Sequence, residues 1–217
     1  MHIAIPLYAG YDAMDALGPY FVLRNIPGAT VTFVAERPGV VADAEVTLTA
    51  TASFADLPRP DVLVVPGTKD VTRGTADQAL IHYVKTAHPT TTWTTSVCVG
   101  SLTLGAAGLL EGVKAATHWV ARDLLTQYGA RPVDERFVRE GKIITSAGVL
   151  AGVDMALYLA SLLADEDTAM AIQLGLEYAP RPPFNAGTPE TAPAEITALL
   201  RSLLRPGCPA DPPALGG

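Results

Sequence analysis

The chain alternates between short runs of apolar residues and longer stretches in which apolar positions recur with helical spacing. The short runs predict strands at residues 2–8, 31–35, 61–65, 91–97 and 115–117, and hairpins at residues 40–50 and 137–146. The longer stretches predict helices at residues 13–25, 76–88, 99–110, 119–128, 149–163, 167–178 and 194–204. Apolar strands that alternate with helices indicate a parallel sheet that is covered by helices on both faces.

The ends of these strands predict where a ligand would bind. In a parallel sheet of this kind, ligands bind beyond the carboxyl ends of the strands. The segments that follow successive predicted strands are residues 12–15, 66–68, 98–99 and 146–148. We therefore expect these segments to converge on one pocket.

The composition is that of a compact globular protein. Its 217 residues suffice for one large domain, and 49% of them are hydrophobic against 17% charged. We expect a single domain over residues 1–204 and a disordered tail over residues 205–217, where proline, glycine and alanine dominate. The formal net charge of −7, with lysine and arginine scattered along the chain, argues against a nucleic-acid-binding surface.

The sequence contains no obvious targeting, membrane or metal signal. No apolar stretch has the length of a membrane-spanning helix, and the first residues lack the basic segment of a signal peptide. Two cysteines, Cys98 and Cys208, do not suggest a disulfide framework. No pair among the 4 histidines has the spacing of metal ligands. We therefore expect a cytoplasmic protein with a reduced thiol, no metal site and no membrane association.

Cys98 stands between the predicted strand 91–97 and the predicted helix 99–110, with almost no loop on either side. A thiol on such a turn lies at a helix N-terminus, where unpaired amides and the helix dipole favour the thiolate. Gly100 provides the small neighbour that a sharp turn needs. The alternative is that Cys98 is a small buried hydrophobe. The abrupt junction favours a nucleophile elbow, the tight strand-to-helix turn that exposes a catalytic side chain.

Asp15 and Asp12 are the candidate acids for such a thiol. Either could be an ordinary acid at a helix N-terminus, contributing under about 1 kcal/mol. Beside Cys98, an ionised carboxylate would raise the pKa of the thiol, whereas a protonated carboxyl could donate a hydrogen bond to the thiolate. The two groups would then titrate as a coupled pair.

His118, Gly67 and Thr68 are further candidates near strand ends. A Cys–His pair is the usual way to activate a thiol, but His118 could equally pack in the structure beside Trp119. Gly67 and Thr68 are interpreted as a tight turn whose backbone amides face a developing negative charge. The proline-rich segment 178–185 is interpreted as an ordered arm, and a contact in a homodimer is its most economical role.

Several motifs together resemble the DJ-1/PfpI superfamily and, within it, the isocyanide hydratase branch. They are residues 95–101, 104–110 and 116–119 at and after the cysteine, with residues 15–19, 53–56, 65–67, 176–180 and 182–187 elsewhere. The similarity extends from about residue 2 to residue 200, and the segment 176–187 is more specific than the elbow, which many superfamily members share.

The resemblance implies an α/β fold of the flavodoxin-like, class I glutamine amidotransferase-like type, a three-layer sandwich around a mainly parallel sheet. It implies a cofactor-free enzyme that adds water to an isocyanide, through a cysteine thioimidate, to give an N-substituted formamide. It assigns the nucleophile to Cys98 and the general acid/base to Asp15, in preference to Asp12, with a small molecule as substrate. Backbone amides of Val99, Gly67 and Thr68 would stabilise negative charge, and His118 would be an accessory residue.

Two departures from the family pattern bear on the site. The pattern has threonine after the cysteine, and this chain has Val99, which keeps the backbone amide but lacks the hydroxyl. The loop at Gly67 and Thr68 is also one residue shorter and lacks a second glycine.

Other functions compatible with the same sequence are a different thiol enzyme of the superfamily, namely an amidase, a peptidase or a glyoxalase-like enzyme, in which His118 would matter more than Asp15. A non-enzymatic redox-sensing or ligand-binding domain, in which Cys98 is oxidised to sulfinic acid, is a further alternative.

Overall fold

A seven-stranded sheet forms the centre of the computed structural model, which describes residues 1–43 and 46–204. The predicted tail at residues 205–217, with Cys208, lies outside the described residues. In chain order the strands are β1 (His2–Pro6), β2 (Thr30–Ala35), β3 (Gly39–Asp43), β4 (Val46–Ala50), β5 (Ala52–Ser53), β6 (Val62–Val65), β7 (Trp93–Ser96), β8 (Lys114–Ala115), β9 (Arg131–Pro132), β10 (Phe137–Glu140) and β11 (Ile143–Ser146).

The strand order in the main sheet is β10-β11-β7-β6-β1-β2-β5. All neighbouring pairs in it are parallel except β10 and β11, which form the predicted antiparallel hairpin. β3 and β4 pair with each other in a separate two-stranded sheet, and β8 pairs with β9 in another. The mainly parallel sheet predicted from the apolar runs is therefore confirmed.

The helices are α1 (Ala13–Leu23), α2 (Val71–Ala76), α3 (Gln78–Ala87), α4 (Gly100–Ala106), α5 (Ala151–Leu163), α6 (Glu166–Gly175) and α7 (Ala194–Leu203). Two 3-10 helices span His88–Thr90 and Trp119–Tyr128. α5 packs between α1 and α6, whereas α2, α3 and α4 pack against one another. These two groups are the outer layers of the α/β arrangement that the resemblance implied.

Several elements differ from the prediction, and the short strands β5 and β9 and the 3-10 helix at His88–Thr90 were not predicted. The helix predicted at residues 119–128 is a 3-10 helix, and Gly129 ends it in the left-handed conformation with φ 70°. The short helix α2 was not predicted, because Gly74 and two threonines give it little intrinsic helix propensity. Capping and packing stabilise this helix instead. Asp70 caps it by accepting a hydrogen bond from the amide of Thr72 at 3.0 Å, and α2 packs against α4.

The central strands bury polar as well as apolar side chains. Every residue of β6 and of β7 is buried, although β7 reads Trp-Thr-Thr-Ser. The hydroxyl of Thr95 donates to the carbonyl of Leu63 at 3.1 Å, and the hydroxyl of Ser146 donates to the carbonyl of Ser96 at 3.0 Å. These bonds satisfy buried hydroxyls that would otherwise destabilise the sheet.

Within residues 1–43 and 46–204, none of the helices combines the length and the hydropathy that crossing a bilayer requires. The same residues contain no group of three or more His, Cys, Asp or Glu side chains that could hold a metal ion.

Candidate active site

Cys98 lies between the end of β7 and the start of α4, as the sequence predicted. Its φ is 57°, in the left-handed region that residues with a side chain rarely adopt. Strain of this kind persists only where the surrounding structure enforces it, and it is concentrated at functional sites. The backbone conformation of Cys98 is therefore that of a nucleophile elbow.

Hydrogen bonds from three other segments hold the backbone of Cys98 in this conformation. Its amide donates to the carbonyl of Ala147 at 3.2 Å, directly after β11. Its carbonyl accepts from the hydroxyl of Thr117 at 3.0 Å, after β8, and from that of Ser101 at 3.3 Å, in α4. Ala147 belongs to the segment 146–148 that the strand ends predicted would converge here, whereas sequence reasoning missed Thr117, because its contribution comes through a contact distant in the chain.

Gly100 lets the elbow pack against the end of β6. A Cβ atom at this position would lie 2.3 Å from the carbonyl oxygen of Val65 and 2.9 Å from that of Pro66. Both atoms belong to the backbone, so neither could move aside cheaply. Glycine is required here by close packing.

Asp15 lies beside Cys98 in the interior of the protein. The carboxyl group is fully buried and lies close enough to the thiol of Cys98 for each group to shift the pKa of the other; the thiol is itself only 7% exposed. Its Oδ2 accepts a hydrogen bond from the amide of Gly67 at 2.9 Å. A Cβ atom at Gly67 would lie 2.7 Å from Oδ2 and 3.0 Å from the Cβ of Cys98. Three segments thus converge, as expected from the strand ends.

The second oxygen of Asp15, Oδ1, is buried and has no hydrogen-bond partner among the described residues. A buried polar atom without a partner costs folding free energy. Proteins seldom keep such an atom without a function for it. Asp15 is thus not the ordinary exposed acid of a first helical turn.

Burial raises the pKa of Asp15 well above its usual value, and the nearby charge of Asp12 raises it further. The amide of Gly67 and the thiol of Cys98 oppose this by hydrogen bonding to the carboxylate. Asp15 therefore keeps its proton at pH values at which an exposed carboxyl would lose it. It is suited to donate a proton.

Burial also raises the pKa of Cys98 well above its usual value, with the charge of Asp15 as the next cause. The amide of Val99, which forms a hydrogen bond with the sulfur, lowers the pKa, but by less. The net direction is opposite to that expected from a helix N-terminus, because desolvation in this enclosed site outweighs one amide. The thiol and the carboxyl thus share protons as a pair.

The contacts that Gly67 and Thr68 form differ from those expected from the sequence. The negative charge that the Gly67 amide faces in the structure is that of Asp15, the acid beside the nucleophile. The hydroxyl of Thr68 donates to the carbonyl of Gly10 at 2.5 Å and so ties this turn to the loop before α1. Asp12 strengthens the same junction: its amide donates to the carbonyl of Gly67 at 2.8 Å, and its side chain caps α1.

His118 does not form a hydrogen bond with Cys98 among the described residues. Its Nδ1 accepts from the amide of Val120 at 3.4 Å, at the start of the 3-10 helix, and its ring packs so closely on Gly148 that a Cβ there would lie 2.2 Å from Cδ2. Burial lowers the pKa of His118, which favours the neutral imidazole.

A cavity of about 300 Å³ lies against the elbow. Its wall includes Thr117 and Ala147, which bond to the backbone of Cys98, together with His118, Gly148 and Val149. Cys98 and Asp15 themselves do not line this cavity.

The sequence profile of the DJ-1/PfpI family matches residues 1–162 of this chain. Isonitrile hydratase of Pseudomonas putida is 41% identical over 207 residues, which cover 95% of this chain and 91% of that protein. Protein DJ-1 homolog A of Arabidopsis thaliana is 27% identical over 186 residues, which cover 83% of this chain and 47% of that protein. The resemblance inferred from the motifs is confirmed.

Solved structures agree with this. A ThiJ/PfpI family protein from Pseudomonas syringae has a TM-score of 0.91 at 39% identity, over 94% of this chain and 85% of that chain. DJ-1 of Schizosaccharomyces pombe has a TM-score of 0.72 at 21% identity, over 83% of this chain and 100% of that chain. The second match shows the fold alone.

Replacing Gly100 with alanine should destabilise the protein by about 1–3 kcal/mol, because the new methyl group meets the backbone of β6 and overpacks the elbow. Denaturant unfolding measures the change. Gly175→Ala is the matched control, since no heavy atom lies within 4 Å of a Cβ there. Equal stability of the two variants would contradict the close packing described for the elbow.

Replacing Asp15 with asparagine should stabilise the protein by an amount that grows with pH. A raised native pKa means that the folded state binds more protons than the unfolded state, so stability falls as pH rises above the usual carboxyl pKa of 3.8. Asparagine does not titrate, so the variant avoids this loss of stability. Thermal unfolding from pH 4 to pH 8 should show a widening difference in Tm of several degrees, since about 1 kcal/mol corresponds to roughly 2–4 °C.

Asp167→Asn is the control, because Asp167 is an exposed acid in the first turn of α6. It should show no gain that widens with pH. An Asp15→Asn variant that is less stable than the parent protein at every pH would show that the carboxylate is stabilising in the folded state.

Proposed function

The chain belongs to the DJ-1/PfpI family, and from that premise we propose that it is a cofactor-free isocyanide hydratase. The reaction adds water to R–N≡C and yields the formamide R–NH–CHO. One observation carries the proposal: a buried thiol on an elbow lies beside a buried carboxyl, and the two groups are electrostatically coupled. This pair occurs in a chain that is 41% identical, over 95% of its length, to isonitrile hydratase of Pseudomonas putida.

The chemistry of an isocyanide matches this pair. Nucleophilic attack on its terminal carbon leaves an electron pair on that same carbon, which must be protonated. Nucleophile and acid must therefore stand next to each other and act on one atom. Cys98 and Asp15 lie side by side at the elbow, and burial keeps the proton on the pair until substrate arrives.

In the first step, the thiolate of Cys98 forms a bond to the isocyanide carbon, and the carboxyl of Asp15 gives its proton to the same carbon. The product is the thioimidate Cys98–S–CH=N–R beside an Asp15 carboxylate. The amide of Gly67 already donates to Oδ2 and stabilises this carboxylate when it forms.

In the second step, the Asp15 carboxylate takes a proton from water while the water oxygen adds to the thioimidate carbon. The proton passes to nitrogen, which gives the tetrahedral adduct S–CH(OH)–NH–R. Collapse of this adduct forms the carbonyl, breaks the carbon–sulfur bond and returns the hydroxyl proton to Asp15. The thiolate is stabilised by the amide of Val99, and the pair again holds one proton.

The surroundings of His118 support Asp15 as the proton carrier. His118 caps a 3-10 helix and packs against Gly148, on the wall of the cavity. Its place there favours a role in shaping the cavity. An amidase or peptidase mechanism built on a Cys–His pair has less support from this arrangement.

We also propose that the protein is a homodimer of chains in which residues 1–204 form one domain. Large apolar side chains are exposed on α6 and on the arm of residues 178–185: Met170 is 57% exposed, Leu174 81% and Phe184 77%. Exposed apolar side chains that lie together are typical of an interface. A cytoplasmic location is proposed as well, since the mechanism needs a reduced thiol.

Replacing Cys98 with alanine should abolish formamide production from an aryl isocyanide, because no bond to carbon can form. Asp15→Asn should lower kcat by roughly 10²–10⁴-fold, the usual contribution of a general acid/base. Product can be quantified by chromatography with mass detection.

Cys208→Ala and Asp167→Asn are the matched controls for these two variants, and both should keep full activity. Full activity in Cys98→Ala would refute the proposed function. Full activity in Asp15→Asn, with His118→Ala inactive, would instead support a Cys–His mechanism.

Light scattering coupled to gel filtration should give twice the molar mass of the chain. Leu174→Glu should shift the population towards the monomer, because it buries a charge in the proposed interface. Val40→Glu is the control, since Val40 is 70% exposed but lies on the separate β3–β4 hairpin. A monomeric parent protein would contradict the dimer.

A further inference from the structure

We propose that Tyr8 is a positioning residue for proton transfer between Asp15 and the substrate, acting through the Pro66–Gly67 peptide group. The proton transfer in this inference rests on the proposed function. The hydrogen bonds that connect Tyr8 to Asp15 come from the structure alone. Neither the sequence motifs nor the proposed mechanism uses this residue.

Tyr8 follows β1, at the same edge of the sheet as the elbow, and is 4% exposed. Its hydroxyl donates a hydrogen bond to the carbonyl oxygen of Pro66 at 2.9 Å. The phenol is enclosed by α2, since a Cβ atom at Gly74 would lie 3.2 Å from the hydroxyl oxygen. Its orientation is therefore fixed by packing.

The carbonyl of Pro66 and the amide of Gly67 belong to one planar peptide group. The amide end of this group donates to Asp15 Oδ2 at 2.9 Å, while the carbonyl end accepts from Tyr8. Consecutive hydrogen bonds polarise one another, so a donor on the carbonyl makes the amide a stronger donor to the carboxylate. Tyr8 thus acts on Asp15 without touching it.

The local chain does not fix the orientation of this peptide group. Proline restricts its own φ, but the glycine that follows has a wide choice of φ, so the group could rotate about its ends. The next carbonyl, that of Gly67, is held by the amide of Asp12 at 2.8 Å. Tyr8 supplies the matching restraint on the Pro66 side.

The charges around the site explain why a neutral hydrogen-bond donor such as the Tyr8 hydroxyl matters for the Asp15 carboxylate. The titratable groups that face Asp15 are Asp12, Asp43 and Cys98, and those that face Tyr8 are Asp15, Cys98, Asp77 and Asp12. All of them are acids. Stabilisation of the Asp15 carboxylate therefore falls to hydrogen-bond donors such as the Gly67 amide. Burial raises the pKa of Tyr8 well above its usual value, which keeps the phenol protonated as a donor.

Replacing Tyr8 with phenylalanine removes one hydroxyl and keeps the ring. We expect kcat for isocyanide hydration to fall about tenfold, in line with the loss of one buried hydrogen bond, with little change in KM. A weaker amide donor leaves Asp15 more basic, so the pH–rate profile should move to higher pH. Because an ionised Asp15 raises the pKa of the thiol, an Asp15 that keeps its proton to higher pH should move the pH dependence of Cys98 alkylation by iodoacetamide to lower pH.

Tyr83→Phe is the matched control. Tyr83 is 3% exposed, and its hydroxyl donates to a backbone carbonyl, that of Leu57, at 2.8 Å, away from the elbow. Both variants should lose similar thermal stability, but Tyr83→Phe should leave kcat and both pH profiles unchanged. In an Asp15→Asn background, Tyr8→Phe should no longer shift the alkylation profile, because its effect passes through Asp15.

The alkylation profile separates this inference from the proposed function, because it needs no isocyanide. If the parent protein does not hydrate isocyanides, the proposed function fails, and a shifted alkylation profile in Tyr8→Phe still supports the coupling. If the profile of Tyr8→Phe coincides with that of the parent, or if Tyr83→Phe shifts it equally, the positioning role is refuted. If Tyr8→Phe does not fold, Tyr8→His replaces it as the test variant, because histidine retains a hydrogen-bond donor on its ring. The inference then requires that Tyr8→His folds and keeps the alkylation profile of the parent protein.

Discussion

The structure depends on one pairing, that of a buried carboxyl with a buried thiol beside it. Neither Asp15 nor Cys98 is stable as an anion in such an enclosed place, and burial raises the pKa of both. Two backbone amides, those of Gly67 and Val99, reduce this cost by donating to the carboxylate and to the sulfur. The site thus keeps a proton and a nucleophile together at neutral pH, and the stability that it loses by doing so has to come from the rest of the fold.

The parallel sheet supplies the framework for that contact. Asp15 follows β1, Gly67 follows β6 and Cys98 follows β7, and these strands are neighbours in the sheet. Parallel strands bring their carboxyl ends to one edge, so residues that are far apart in sequence meet there. The close approach requires glycine twice, at Gly67 beside the carboxyl and at Gly100 against the end of β6.

Strain and polarity are confined to places where tertiary contacts can support them. The left-handed backbone of Cys98 is held by Ala147, Thr117 and Ser101. The hydroxyls of Thr95 and Ser146 are paired with carbonyls of neighbouring strands. Even the Pro66–Gly67 peptide group is bound at both ends, by Tyr8 and by Asp15. Most polar groups at the site thus have a partner; the exceptions among the described residues near the elbow are the hydroxyl of Ser96 and Oδ1 of Asp15, and the latter lies where the mechanism needs a reactive oxygen.

The sequence by itself determined most of the strands and helices, because apolar periodicity is a local property, although it missed α2, β5 and β9. It determined the elbow because the strand-to-helix junction at Cys98 leaves no room for a loop. The residues alone left two candidate acids, Asp12 and Asp15, and offered no means to choose between them. The resemblance to a family favoured Asp15. Tertiary structure decided that Asp15 is the buried acid and Asp12 the helix cap, that His118 caps a helix, and that α2 forms despite its composition. It also decided the direction of the thiol pKa, because desolvation depends on what surrounds a group in space, and a one-dimensional pattern does not record that.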